Sequence, residues 1–368
     1  MGERAAERAG ERAVTALAPS AHVLVVMLAA AGDAVHAMSV LTLLRRARPD
    51  VRVTWVLQPG LAPLVRGHPA VDDVVVFDRR AGWRGFADVR RALRPVRADV
   101  ALVLQPYLKA GVVASFAPAP VRLGFDRARA RDLSWLFTNA RLPARPLAHT
   151  QDMYLEFLDA LGVPRLAPGG VPSAPADWQL GPWPGERAWQ RAFFAPLARP
   201  AAAVVVATSK PEKDWAPERW ARVCDALVED YGLQPVLVGG TTPRELAAEA
   251  VIRREARHAP VVALGSGLRR LTAILDGSAL VLTPDTGPLH MSVALGRPAV
   301  SLIGYSNPKR VGPYRRFHDL VVDAYGDPGE DYPATMEHRP GRMGRITVEQ
   351  VLAKVERWRT HYAGRAGA

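Results

Sequence analysis

Short apolar runs alternate with longer amphipathic stretches along most of the chain, beginning at His22. In the first half the apolar runs predict strands at residues 23–28, 51–57, 74–77, 100–104 and 121–125. Between them, apolar residues recur at helical spacing, as at Met38, Leu41 and Leu44 in a helix predicted over residues 34–46. This alternation is typical of βαβ units built around a parallel sheet.

A second series of the same kind follows a segment rich in proline, glycine and tryptophan. Residues 166–170 and 181–185 interrupt the alternation, as linkers between domains do. Beyond them the pattern predicts strands at 203–207, 235–238, 261–264, 280–283 and 299–303, and helices at 217–230, 243–257, 268–275 and 287–295. Thr347 and Gln350 have the spacing of a capping box, which predicts a last helix from residue 348 to about residue 362.

The chain length agrees with two domains, because 368 residues exceed the size at which single cores usually stop growing. We expect a disordered N-terminal extension at 1–20, a first Rossmann-like domain at 21–180, a second at 181–346, and a C-terminal helix and tail at 347–368. The most apolar run, residues 23–31, is far shorter than the roughly 20 residues that span a bilayer. Any membrane contact should therefore be peripheral.

The formal charge of +12 comes from arginine and favours anionic partners such as nucleotides or an acidic membrane surface. The arginines are dispersed and accompany no nucleic-acid-binding motif, so we expect no nucleic acid partner. The single cysteine, Cys224, lies in a helical run and offers neither a disulfide nor a cysteine metal site. It is expected to be a small packed side chain in a reducing compartment.

The residues that follow strands are the candidates for chemistry, because ligands of open parallel sheets bind beyond the carboxyl ends of the strands. After the first strand, Gly32 permits a tight turn and Asp33 places a carboxylate that can act as a general base. Alternatively, Asp33 caps the helix predicted to start near residue 34. After residue 207, the hydroxyls of Thr208 and Ser209 and the ammonium of Lys213 suit a diphosphate, although loop lysines are often only solvated.

Two further loops are candidates for the same reason. Gly239 and Gly240 precede Thr242 and Glu245, where a ribose or base could bind, or where the chain simply turns tightly. The most specific run is the one of six residues that follows the strand predicted at 280–283. Its first two residues cap a helix whose free amides can bind phosphate, and its last can donate to a phosphate or sugar hydroxyl or pack as a structural histidine. The run consists of Asp285, Thr286, Gly287, Pro288, Leu289 and His290.

Several enzyme classes lose support because their motifs are missing. The sequence contains no G-x-G-x-x-G after a strand, no G-x-x-x-x-G-K-[ST] and no H-E-x-x-H. These absences argue against dinucleotide dehydrogenases, P-loop NTPases and common zinc hydrolases. There is also no D-x-D triplet to hold a metal against a diphosphate. We therefore expect no metal or other cofactor, with lysine, hydroxyls and helix amides stabilising a leaving diphosphate.

These motifs together resemble those of glycosyltransferase family 9, the ADP-heptose:lipopolysaccharide heptosyltransferases. The resemblance extends from about residue 23 to the last helix and implies the GT-B fold, an α/β architecture of two Rossmann-like domains whose parallel sheets face a central cleft. The matching residues are Gly32-Asp33, His68-Pro69-Ala70-Val71-Asp72, Arg122-Leu123-Gly124-Phe125-Asp126, Thr208-Ser209 with Lys213 and Trp215, the run from Asp285 to His290, Asn307-Pro308 and Gly312-Pro313.

The resemblance implies an inverting, metal-independent transfer of heptose from ADP-heptose to an acceptor in the lipopolysaccharide inner core. It assigns Asp33 as the base that takes the proton of the acceptor hydroxyl. It also implies a monomeric cytoplasmic enzyme that meets an anionic glycolipid at the inner membrane, with peripheral contact to the anionic leaflet. The implied donor contacts are Thr208, Ser209 and Lys213 for phosphates and ribose, Thr242 and Glu245 for adenosine, and Asp285, Thr286, Gly287, Pro288, Leu289 and His290 for diphosphate and heptose.

The sequence departs from the family in its first loop, where residues 27–31 are apolar and the family commonly has an arginine or lysine. The acceptor can therefore differ, as can the donor sugar. The arginine-rich residues 122–145 either contact anionic sugars or lipid phosphates, or form a solvated basic face. An epimerase or hydrolase on the same scaffold would need a second acid/base set. A module that only binds a ligand would not need both Asp33 and the run at residues 285–290, so the presence of both argues against it.

Overall fold

A computed structural model describes residues 17–163 and 176–364 of the chain. They form two compact units, of which the first ends at Gln179 and the second begins at Leu180. Most of the predicted N-terminal extension, the linker sequence at 166–170 and the last four residues lie outside the described residues.

The first unit is built on a sheet of six parallel strands in the order β3-β2-β1-β4-β5-β6, which is the doubly wound order of Rossmann folds. The strands are β1 (His22–Val26), β2 (Arg52–Leu57), β3 (Asp73–Val76), β4 (Val100–Val103), β5 (Val121–Gly124) and β6 (Ala140–Arg141). The α-helices are α1 (Ala31–Ala47), α2 (Ala62–Val65), α3 (Trp83–Leu93), α4 (Leu108–Ala114) and α5 (Thr150–Ala160). The central strand β1 is apolar throughout Val23 to Val26 because helices cover both of its faces.

The second unit repeats this architecture. Its six parallel strands have the order β12-β11-β10-β7-β8-β9, so its first strand, β7, again lies at the centre beside its fourth, β10. The strands are β7 (Ala201–Val205), β8 (Gln234–Val238), β9 (Val261–Val262), β10 (Leu280–Pro284), β11 (Ala299–Ile303) and β12 (Val321–Asp323). The α-helices are α6 (Pro184–Phe194), α7 (Pro217–Glu229), α8 (Pro243–Glu255), α9 (Leu268–Gly277), α10 (Gly287–Ala294), α11 (Pro308–Val311) and α12 (Val348–His361).

All ten predicted strands are present, with ends that differ from the prediction by no more than two residues. The capping box before α12 is also confirmed, since Thr347 Oγ1 accepts from the Gln350 amide at 3.2 Å and Gln350 Oε1 accepts from the Thr347 amide at 2.9 Å. Cys224 is completely buried in the core of the second unit, and burial raises the pKa of its thiol to about 12. It is a packed side chain, as expected.

The edge strands β6 and β12 were not predicted. They have two and three residues, and neither contains an apolar run long enough to stand out in the sequence. Each forms by pairing with the strand beside it. The described segments contain no helix with the length and apolarity needed to cross a membrane.

Candidate active site

The strand order fixes where ligands can bind in each unit. In the first sheet the chain reverses its winding direction between β1 and β4, and in the second between β7 and β10. Ligands of such sheets bind in the crevice beyond the carboxyl ends of these strand pairs. The predicted residues Asp33 and Asp285 follow β1 and β10 closely in sequence, so each lies at such a position.

In the second unit, an ion pair spans this crevice. Lys213 ends a short 3₁₀ turn after β7, and its Nζ lies 2.5 Å from Asp285 Oδ2 and 3.3 Å from the Asp285 carbonyl oxygen. The Asp285 side chain is buried and that of Lys213 is partly buried. His290 Nε2 lies 3.9 Å from Asp285 Oδ1. The structure therefore brings together three predicted residues from two separate loops.

The helix that follows Asp285 begins as predicted. Thr286 is the N-cap residue of α10 and Gly287 its first residue, while Pro288 has no amide hydrogen to satisfy. Among the described residues, α10 receives no side-chain hydrogen bond from Thr286. Leu289 and His290 are buried in its first turn. This helix start combines backbone amides with the neighbouring Lys213 ammonium, which is an arrangement suited to a phosphate.

Thr208 is buried and its polar atoms brace its own loop. Its amide donates to Asp214 Oδ1 at 2.7 Å, and its Oγ1 lies 2.6 Å from the Lys210 carbonyl oxygen and 2.9 Å from Asp214 Oδ1. Burial raises the pKa of Asp214, although hydrogen bonds from Thr208 and the charge of Arg244 oppose the shift. Ser209 beside it is exposed. Sequence reasoning missed Asp214, which fixes the shape of the loop.

Thr242 and Glu245 form a capping box at the start of α8. Glu245 Oε1 accepts from the Gly240 amide at 2.6 Å, and Oε2 accepts from the Thr242 amide at 2.9 Å. Burial would raise the pKa of Glu245, but the hydrogen bonds from Thr242 and Gly240 outweigh it and lower the pKa. The Glu245 carboxylate lies close to this turn, since a Cβ at Gly240 would lie 2.9 Å from Glu245 Oε2. A role of Thr242 and Glu245 toward adenosine stays a prediction.

A second histidine lies beside this site and was not predicted. The ring of His338 stacks on Tyr305, which follows β11, with centroids 4.6 Å apart and planes at 13°. Lys210 Nζ lies 5.7 Å from the centroid of the Tyr305 ring. Partial burial and the positive charges of Lys210, Arg310 and Lys213 lower the pKa of His338, while Asp285 acts in the opposite direction. The crevice is thus more cationic than the predicted residues alone would make it.

Of the stacked pair Tyr305 and His338, only Tyr305 could have been found from the sequence. Tyr305 comes two residues after β11, where residues at the sheet edge are expected, and inspecting the loop after the strand predicted at 299–303 would have found it. His338 lies in an irregular segment and reaches Tyr305 through a single antiparallel bridge between Ser306 and His338. No periodicity or motif marks such a residue.

In the first unit, Asp33 is half-buried and held from two sides. The Ala30 amide donates to its Oδ2 at 3.1 Å, and the Tyr154 hydroxyl, from α5, donates to its Oδ1 at 3.0 Å. The helix start predicted near residue 34 is wrong, because α1 begins at Ala31 and Asp33 is its third residue. Asp33 is therefore not the N-cap, although it does satisfy a backbone amide at the helix start.

Gln105 joins the two loops on either side of this crevice. Its Oε1 accepts from the Leu28 amide at 3.2 Å, and its Nε2 donates to the Ala29 carbonyl at 2.7 Å. Tyr154 packs edge-on against His36, at 6.3 Å between ring centroids, and His36 Nδ1 lies 2.9 Å from Gln151 Oε1. Asp33 is consequently surrounded by an ordered shell from α1 and α5.

Two of the motifs that carry the resemblance are buried structural elements. His68 Nε2 lies 2.9 Å from the Trp178 carbonyl oxygen, and His68 Nδ1 accepts from the Ala70 amide at 3.1 Å. Asp126 pairs with the buried Arg129, which also binds Glu156 through two hydrogen bonds of 3.0 and 2.9 Å. These contacts give the two motifs a structural role and do not place them at the crevice.

The same holds for the motif near α11. The buried side chain of Asn307 donates to the Pro333 carbonyl at 2.8 Å and accepts from the Lys309 amide at 3.0 Å. A Cβ at Gly312 would lie 2.6 Å from the Pro308 carbonyl oxygen, so the residue must be glycine. In residues 17–163 and 176–364, no group of three or more histidine, cysteine, aspartate or glutamate side chains is arranged to hold a metal ion.

Known proteins match this chain over most of its length. The model of glycosyltransferase family 9 (heptosyltransferase) matches residues 86–334, more than half of the chain. The lipopolysaccharide core heptosyltransferase OpsX of Haemophilus influenzae is 27% identical over 343 residues, covering 90% of this chain and 95% of that protein. Lipopolysaccharide heptosyltransferase 1 of Escherichia coli K12 is 25% identical over 306 residues, covering 79% and 90%.

Solved structures share the fold over nearly the whole chain. A glycosyl transferase family 9 protein from Veillonella parvula superposes with a TM-score of 0.77 at 24% identity, covering 93% of this chain and 98% of that one. The E. coli heptosyltransferase WaaC, solved with ADP, superposes with a TM-score of 0.71 at 24% identity, covering 91% and 99%. The chain therefore belongs to glycosyltransferase family 9, the heptosyltransferase family, and is a glycosyltransferase with the GT-B fold.

Proposed function

We propose that this glycosyltransferase moves a heptose from ADP-heptose to an inner-core sugar of lipopolysaccharide, with inversion at the anomeric carbon and Asp33 as the general base. The observation that carries the proposal is the placement of Asp33. Its half-buried carboxylate lies at the carboxyl end of β1 and is oriented by Tyr154 and the Ala30 amide. A carboxylate held in this way can accept a proton from a sugar hydroxyl bound within hydrogen-bonding distance.

The donor would bind in the crevice between β7 and β10. Lys213 exchanges part of its pairing with Asp285 for an oxygen of the diphosphate, and the amides at the start of α10 bind the second phosphate. His290 then faces the diphosphate and the heptose, and the exposed Ser209 hydroxyl faces the ribose. The relative WaaC was solved with ADP, which supports an ADP-linked donor for this chain.

The reaction is a single displacement. The acceptor oxygen attacks the anomeric carbon from the face opposite ADP, the bond from that carbon to the diphosphate oxygen breaks, and the acceptor proton passes to Asp33. The negative charge that develops on the departing diphosphate is stabilised by the Lys213 ammonium and the α10 amides, so the step proceeds without a metal ion. One displacement inverts the configuration of the sugar.

The test is transfer from ADP-heptose to truncated, deacylated lipopolysaccharide in the presence of a chelator. We expect a product whose anomeric configuration, read by NMR, is opposite to that of the donor, together with one ADP per sugar transferred. Retained configuration would refute the single displacement. Transfer only from a different nucleotide sugar, or only after a divalent metal is added, would refute the donor assignment or the metal-independent step.

A further inference from the structure

Four large apolar side chains are exposed in the segments that follow β4 and β5 of the first sheet. Tyr107 and Leu108 follow β4 and are 43% and 37% exposed, while Leu133 and Leu136 lie at a short 3₁₀ helix (Ser134–Phe137) and are each 58% exposed. We call these four residues the apolar patch. Leucines exposed to this extent normally occur singly, whereas a group of them marks an interaction surface.

The two segments of the apolar patch form one surface. The Pro106 carbonyl accepts from the Arg131 amide at 2.6 Å and from the Ser134 hydroxyl at 2.8 Å. Within α4, Gly111 is so close to the 3₁₀ helix that a Cβ there would lie 2.9 Å from the Ser134 carbonyl oxygen. The segment that carries Tyr107 and Leu108 is therefore held against the segment that carries Leu133.

The backbone holds Leu133 at the surface in an unusual conformation. Asp132 and Leu133 have φ angles of 51° and 60°, in the left-handed region that non-glycine residues rarely adopt. Conformations of this kind persist where the surrounding structure enforces them, and they cluster at functional sites. Here the enforced turn presents a leucine to solvent.

Cationic side chains surround the apolar patch. Lys109, Arg127 and Arg131 are exposed next to it, and Asp132 is the acidic residue among them. The Arg127 guanidinium lies 4.5 Å from the centroid of the Trp135 ring. Exposed leucines and an aromatic residue can enter a bilayer surface, and the basic side chains around them can bind its anionic lipids.

We propose that the apolar patch docks the first unit on an anionic lipid bilayer. The leucines enter the boundary between headgroups and acyl chains, Tyr107 lies at the headgroup level, and Arg127 and Arg131 pair with lipid phosphates. Burying the three leucines supplies the hydrophobic part of the binding, and the arginines supply a part that weakens with salt.

The apolar patch is connected through Gln105 to the turn that precedes α1 and Asp33. Gln105, whose side chain bonds the Ala29 carbonyl, is separated from Tyr107 by Pro106 alone. Resting on the proposed function, this connection means that a lipid-anchored acceptor would present its sugars to Asp33 from the membrane on which the protein is docked. The docking itself requires neither donor nor acceptor, so it can be tested separately.

The test is co-sedimentation of the full chain with vesicles. Vesicles of phosphatidylglycerol and phosphatidylethanolamine should bind it, and vesicles of phosphatidylcholine alone should bind it much less. Replacing the two most exposed leucines of the patch by serine, L133S/L136S, should weaken binding to the anionic vesicles at least tenfold. Arg131→Gln should weaken it about fivefold at low salt. Leu246→Ser, at a leucine 46% exposed in the second unit, is the matched control and should leave binding unchanged.

Equal binding of native protein and L133S/L136S, or equal binding to anionic and neutral vesicles, would overturn the proposal. So would a native dimer in sedimentation equilibrium that L133S/L136S converts to a monomer, because the apolar patch would then be covered by a second copy. Circular dichroism establishes that the variant is folded.

Activity separates this proposal from the proposed function. L133S/L136S should still transfer to a deacylated, water-soluble acceptor at the native rate while losing vesicle binding. If the native chain binds anionic vesicles through the apolar patch yet transfers no heptose, docking stands and the donor or acceptor assignment fails. Loss of transfer to the soluble acceptor in the folded variant would instead assign these leucines to the acceptor site and count against docking.

Discussion

Asp33 is bound by a tyrosine that no sequence motif connects to it. Tyr154 is 121 positions away and reaches Asp33 Oδ1 because α5 packs alongside α1. The Ala30 amide holds the other carboxylate oxygen. Two donors on a carboxylate restrict its rotation, so under the proposed function the oxygen that would receive the acceptor proton has a fixed direction. If Asp33 is the base, as proposed, Tyr154 is a positioning residue, since it acts through Asp33.

Replacing Tyr154 by phenylalanine should lower kcat about tenfold, because it removes one hydrogen bond to a charged group, worth about 1.5 kcal/mol, without changing the shape of the site. KM for the donor should stay within about twofold, since a group that acts only in the displacement does not alter donor binding. Steady-state kinetics with the soluble acceptor measures both. Tyr231→Phe removes a comparable hydroxyl bond, to the Leu352 carbonyl, and serves as the control. An unchanged kcat in Tyr154→Phe would exclude the positioning role.

At the scale of elements, buried polar clusters tie helices and loops to the first sheet. His68 receives the Ala70 amide on Nδ1 and faces the Trp178 carbonyl with Nε2. This arrangement needs a neutral ring with its proton on Nε2. Burial lowers the pKa of His68 from its ordinary value of 6.5, and the Trp178 carbonyl opposes that shift.

The stability of the fold should therefore depend on pH through His68. Because its pKa is lower in the folded state, the contribution is complete above about pH 6.5 and is lost as the pH falls through the folded-state value. The free energy of unfolding should decrease between about pH 7.5 and pH 5.5, and less steeply in His68→Gln. Urea titrations at both pH values measure the difference, with the exposed His361→Gln as control. If the unfolding free energy of the native protein and of His68→Gln changed equally with pH, His68 would not be the source of the pH dependence.

A second buried polar cluster consists of Arg129, which forms ion pairs with both Asp126 and Glu156. Removing the cation leaves two carboxylates without compensation, so Arg129→Met should cost about 3 to 5 kcal/mol of unfolding free energy. Arg91→Met, at an exposed pair with Asp88, should cost less than about 1 kcal/mol. If chemical denaturation gave equal losses of unfolding free energy for the two variants, the buried cluster would not stabilise the fold more than an exposed ion pair does.

The sequence predicted most of these elements because buried parallel strands are short continuous apolar runs, and β1, β7 and β10 are of this kind. It predicted the candidate site as far as the site lies directly after strands, which includes Asp33, Lys213 and Asp285. Tyr154 and His338 could not be predicted, because packing between distant segments brings them to the crevices. The buried roles of His68 and Asp126 were likewise visible only in three dimensions.

At the scale of the whole molecule, the two units share one strand order, and each places a charged group at its central crevice. The first has the Asp33 carboxylate bound by a tyrosine, and the second has a carboxylate near cations that include Lys210, Lys213 and Arg310. Under the proposed function, the first crevice would receive the acceptor hydroxyl and the second, more cationic crevice would receive the anionic donor. The membership in glycosyltransferase family 9 excludes the epimerase, hydrolase and purely binding alternatives that the sequence alone left open.

Asp33 as the general base is tested most directly by comparing heptose transfer by Asp33→Asn with transfer by the native chain, with ADP affinity measured on both. Asparagine keeps the size of the side chain but cannot take a proton, so kcat should fall about 10²- to 10⁴-fold while ADP binds equally well. Transfer by Asp33→Asn at a rate within about threefold of the native rate would contradict Asp33 as the general base.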